Sequence, residues 1–121
     1  MSKKISNRIF DCAIELDQLA KARSDKQRKF LLKRAKDCVI DSISEIALNC
    51  LKGNVPIKNC DFKKLRRYKS ILRKISSPSP CYKRRKILVQ KGGFLPILLN
   101  TALGFLGSLA VDYLKKKIER K

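Results

Sequence analysis

Apolar residues recur at three- and four-residue intervals along most of this chain, and no stretch alternates as a half-buried strand would. Between Ile5 and Ala22 the positions Ile9, Ala13, Leu16 and Ala20 mark one helical face, with Ser6 placed as its cap. Ser24-Asp25-Lys26-Gln27 has the form of a capping box, in which Ser24 and Gln27 each satisfy a free backbone N–H. It opens a short helix through Phe30, Leu31 and Leu32. The chain restarts near Asp37, where Val39 or Ile40, Ile43, Ile46 or Ala47, and Cys50 or Leu51 form one apolar stripe. Gly53 stands where a left-handed C-cap is wanted, and Pro56 forbids continuation. Asn59 is placed to cap one more helix over 60–75, striped by Phe62, Leu65, Tyr68 or Ile71, Leu72 and Ile75. Two prolines in Ser76-Ser77-Pro78-Ser79-Pro80 then break the pattern.

This periodicity predicts an all-α protein: a small bundle of three or four short helices, a basic linker and a C-terminal apolar helix. The expected organisation is a helical domain over 1–75, a Pro/Gly-containing basic linker over 76–93, and an apolar tail with a cationic end over 94–121. Some 75 residues of short helices make a marginal core, so an assembly or ligand is expected to support it. From Phe94 to Val111 the chain carries no charge. As a helix this stretch would measure about 27 Å, against a bilayer hydrocarbon thickness of about 30 Å. Pro96 fits a first turn, while Asn100, Thr101, Gly104, Gly107 and Ser108 lower the hydrophobicity. The segment therefore has three destinations: a membrane, a protein shell, or the core of the chain itself. Phe94, Leu95, Leu98, Leu99, Leu103, Phe105, Leu106 and Leu109 are its candidate contacts.

Charge changes the picture. The 121 residues hold 30 Lys and Arg against 10 Asp and Glu, a net charge of +20. Residues 51–93 alone carry fourteen cations and one anion, Asp61. Ordinary solvated faces mix both signs, so this block points to a polyanionic partner. Lys63, Lys64, Arg66, Arg67, Lys69, Arg73 and Lys74 lie on a helix whose apolar stripe orients them outward together. Lys83, Arg84, Arg85 and Lys86 form a second cluster beyond the prolines, which also fits the short basic pattern of a nuclear import signal. Phosphate-dominated binding to double-stranded DNA, with little sequence preference, is the leading expectation. The alternative is a membrane-anchored or membrane-permeabilising protein whose cations serve anionic lipid.

Five cysteines (Cys12, Cys38, Cys50, Cys60 and Cys81), with no CxxC spacing and no histidine, give no metal-site pattern. Cys12, Cys38 and Cys50 fall among apolar residues and are expected as small core hydrophobes in a reducing compartment. The N-terminal residues lack the apolar run of a secretory signal peptide. No acid–base pair or phosphate-cradling glycine loop is visible, so the expectation is a nonenzymatic protein without cofactor.

The string KRRKILVQKGGFLPILL, residues 83–99, resembles small basic proteins encoded by adintoviruses and related Maverick/Polinton elements. Leu51 to Asn54 with Pro56, and the helix over 62–75, match the same pattern. Those proteins are in turn similar to the precursor of the adenovirus core peptide mu, called pX. The resemblance implies a virion core component that neutralises packaged DNA, located in the virion and the host nucleus, with a tail that touches membrane or capsid proteins. It further implies processing by a viral maturation protease. Gln90-Lys91-Gly92-Gly93-Phe94 fits that protease's pattern, with cleavage after Gly93. Two glycines suit an extended strand in a protease cleft, having no Cβ to clash.

Overall fold

The computed structural model describes residues 11–53, 57 and 59–102. Ile9, Ser6 and Pro56 lie outside them, as do Leu103, Phe105, Leu106 and Leu109 of the expected tail. Among the described residues the chain is all helical: α1 (Ala13–Ala20), α2 (Asp25–Arg34), α3 (Asp37–Leu51), α4 (Asn59–Arg66), α5 (Lys69–Ser76) and α6 (Cys81–Lys91). A 3-10 turn, Gly92–Phe94, follows, and the backbone is helical again over 95–102.

Local chemistry accounts for most boundaries. Ser24 Oγ accepts from the Gln27 N–H at 3.1 Å, and Gln27 Oε1 accepts from the Arg23 N–H at 2.9 Å, closing the N-terminus of α2 from both sides. Gly53 ends α3 with φ at +78°, a left-handed value that glycine adopts without a Cβ penalty. Asn59, expected as a cap, is itself the first residue of α4. The single helix expected over 60–75 is two. It breaks at Arg67 and Tyr68, whose N–H groups turn back to Lys64 O and Leu65 O. At this break the Tyr68 ring packs on Phe94, with centroids 5.7 Å apart and planes tilted by 39°. Phe62 consequently does not join the apolar stripe; it is 52% exposed.

α3 supplies the floor of the core through Val39, Ile40, Ile43, Ile46 and Ala47, and packs most extensively on α5. α6 packs on α3, with α2 along one flank and α5 along the other. α2 and α6 run antiparallel: Arg85 reaches the carbonyls of Leu32 and Ala35, whereas Gly92 lies beside Arg28 and Leu32. Residues 81–91, expected within a linker, thus form a docked helix. The prolines reverse the chain at 76–80 without freeing it, because Arg84 donates to Ser79 Oγ and Ser77 O.

The largest departure concerns the tail. Phe94, Leu95, Leu98, Leu99 and Ala102 are completely buried in the core that also holds Leu16, Leu32, Ile43, Ile75 and Leu88. For this half of the segment, the place taken in the folded chain is the chain's own core, one of the three destinations the sequence left open. The physical reason is size. Short helices in a bundle this small rarely bury enough apolar surface by themselves. The 95–102 segment completes the core, and its polar side chains find partners at the rim. Asn100 Nδ2 donates to Ala20 O at 3.4 Å, and Thr101 Oγ1 donates to Asp61 Oδ2 at 3.5 Å. Among the described residues no helix is long and apolar enough to cross a membrane.

Candidate nucleic-acid interface

The cations of α4 and α5 are held outward by what lies beneath them. Leu65, Leu72 and Ile75 are buried, Tyr68 and Ile71 are half-buried, and the remaining positions must face water. Lys63, Lys64, Arg66, Arg67, Lys69, Arg73 and Lys74 are all exposed, and among the described residues none forms an ion pair. Asp61, at the start of α4, is the acceptor for Thr101.

The second run divides. Lys83 and Lys86 are exposed on the outer face of α6, together with Tyr82 and Gln90. Arg84 and Arg85 turn inward and hold the fold. Arg84 Nη1 pairs with Asp41 Oδ1 at 3.2 Å, in addition to its bonds to the 76–80 turn. Arg85 Nη1 donates to Leu32 O at 2.7 Å and Ala35 O at 2.6 Å, and its Nη2 meets Asp37 Oδ1 at 2.8 Å. These carbonyls close the C-terminus of α2, and Asp37 opens α3. One guanidinium therefore ties the end of one helix to the start of the next; its positive charge suits the C-terminus of α2, and the Asp37 carboxylate suits the N-terminus of α3. Arg84 and Arg85 were expected to meet phosphates. In the folded chain their forks are occupied by protein acceptors.

A further set of cations went unread in the sequence. Lys26, Lys29, Lys33 and Lys36 follow one another at intervals of three, four and three, a single stripe along and just beyond α2, and all four are exposed. The three-four-three spacing marks this stripe, but Asp25 and Asp37 at its two ends dilute its charge density beside the block over 51–93. Arg34 sits 5.0 Å above the Phe30 ring, which is 56% exposed. Because α6 lies between α2 and α5, the outward faces of the three helices make one cationic layer. The acids bordering it have inward partners: Asp25 takes the buried Arg28, Asp37 takes Arg85, and Asp41 takes Arg84.

Gly92 and Gly93 form a tight corner, not a loose joint. Gly92 is buried in the turn and Gly93 is exposed with open space around it, but Phe94 beyond them is fully buried. A protease that needs an extended strand across Gln90 to Phe94 would have to draw Phe94 out of the core.

Among the described residues no group of three or more side chains could hold a metal ion. Burial pushes the thiols of Cys12 and Cys50 up to about 11 and raises that of Cys81, so none of these three is primed as a nucleophile near neutral pH. No family model matches the chain, and neither a curated protein nor a solved structure matches it.

Proposed function

We propose that this chain is a nonenzymatic structural protein that binds nucleic acid through its phosphates. Contact runs across α4–α5 and the outer faces of α6 and α2. The observation that carries this reading is the division among the cations. Among the described residues, Lys63 to Lys74 stand exposed without acidic partners, while Asp37 and Asp41 are engaged inward. Such a face attracts a regular polyanion over many contacts and offers no geometry for reading base edges. In a viral particle, as the resemblance of residues 83–99 suggests, the corresponding task is condensing packaged DNA. The lipid-directed alternative loses support from the burial of Phe94, Leu95, Leu98 and Leu99, half of the apolar contacts it invokes.

The test is binding of the full chain to unrelated duplexes of equal length across a salt series. A log–log slope of magnitude about 6 or more, with affinities agreeing within about threefold between sequences, is expected. A flat salt response or a strongly preferred site overturns the proposal. So does tighter binding to phosphatidylglycerol vesicles than to DNA at matched ionic strength.

A further inference from the structure

Cys12 and Cys38 lie 26 positions apart in sequence, yet their sulfur atoms are 3.3 Å apart. Cys12 caps the N-terminus of α1 and is 4% exposed; Cys38 occupies the first turn of α3 and is half-buried. Both are free thiols. No other pair of the five cysteines shows such an approach among the described residues. The two sulfurs need close by only a little over an ångström to reach the roughly 2.05 Å of a bond, a distance that side-chain rotation can supply. Helix α1 is also the element that lies over the end of the buried apolar segment, since Ala20 O receives the Asn100 amide.

We infer that Cys12 and Cys38 form a reversible disulfide that latches α1 onto α3. The oxidant is a small disulfide such as oxidised glutathione. The more accessible Cys38 thiolate attacks one glutathione sulfur and expels the other glutathione as a thiolate. Cys12 then gives up its proton to solvent, and its thiolate attacks the Cys38 sulfur of the mixed disulfide, expelling the second glutathione. Two protein thiols and one small disulfide become one protein disulfide and two small thiols, so the electrons balance. The raised thiol of Cys12 makes the second step accelerate with alkali. The inference is independent of nucleic-acid binding.

The experiment uses the full chain carrying Cys60→Ser, which removes the exposed thiol that would crosslink two copies. The protein is incubated, without denaturant, with oxidised glutathione and then acid-quenched. The expected product has lost about 2 Da, yields a Cys12–Cys38 crosslinked peptide on digestion, and melts roughly 10–20 °C higher until reduced. Adding Cys12→Ala is expected to stop the reaction at a glutathione adduct on Cys38. Three results overturn the inference: a stable adduct on Cys38 in the chain that retains Cys12, a crosslink to Cys50 or Cys81 instead, or closure only in denaturant. The mapping needs no variant at the paired positions, so misfolding of Cys12→Ala cannot rescue it.

Discussion

Residues 63–74 and 83–86 are both basic and free of acids, but they have different fates. The first run keeps all seven of its cations in solvent. The second gives its two arginines to the fold and shows only Lys83 and Lys86 outside. What separates them is not their own sequence but what lies across the chain. Asp37 and Asp41 stand one helical turn apart at the start of α3, and α6 docks against them. α5 docks on α3 as well, yet through Leu72 and Ile75. A basic run thus stays in solvent or becomes a strut according to whether carboxylates and carbonyl ends meet it. Arginine suits the strut, because its planar fork satisfies several acceptors at once.

The largest expected effect comes from abolishing the first run. Replacing Lys63, Lys64, Arg66, Arg67, Lys69, Arg73 and Lys74 with Gln together should weaken duplex binding by about a thousandfold or more near 0.1 M salt. The salt slope should fall by roughly 6. Thermal unfolding should stay within a few degrees of wild type, since exposed substitutions away from packing have small effects. A chain so altered that still binds with the original slope would show that α2 and α6 bear the contact by themselves.

The converse substitution is expected to reverse the pattern. Arg85→Ala removes three charge-assisted hydrogen bonds and leaves the Leu32 and Ala35 carbonyls without their donor. Because the side chain is 21% exposed and water can refill part of the site, the loss should be about 2 kcal/mol, or a fall in melting temperature near 10 °C. Arg73→Ala, on the exposed face of α5, should change stability by less than about 0.5 kcal/mol. Arg85→Lys should recover little, because an ammonium cannot span both carbonyls and Asp37 in one plane. Equal melting temperatures for Arg85→Ala and Arg73→Ala would erase the distinction between strut and interface.

What could be read from the sequence divides along the same line. Local signals held: the Ser24–Gln27 box, the left-handed Gly53, the stripe on α3 and the proline break at 76–80 are each set by a few neighbouring residues. The seven exposed cations of α4–α5 followed from the apolar stripe beneath them. Long-range partners were not legible. Nothing near Arg85 announces Asp37, 48 positions away, or the carbonyls of α2. At the break Tyr68 meets Phe94, a partner 26 positions away that the sequence does not name. An uncharged stretch states only that water rejects it. Which apolar phase receives it is decided by the rest of the chain, and here the first half of the stretch is taken up at home.

The smallest expected effect is also the sharpest test of the divided run, because it compares neighbours on one helix. Lys86 follows Arg85 directly but is exposed, so Lys86→Gln should leave the melting temperature within about 1 °C while lowering the salt slope by about 0.9. Arg85→Ala should do the opposite under conditions where both proteins are folded: a large drop in stability and an unchanged slope, since that guanidinium is held by Leu32 O, Ala35 O and Asp37. The two measurements form a cross in which each variant moves one quantity and spares the other. If Arg85→Ala lowers the slope by the same 0.9, its side chain exchanges protein acceptors for phosphate on binding. The outer layer would then extend inward, to a residue that in the free chain serves only as a strut.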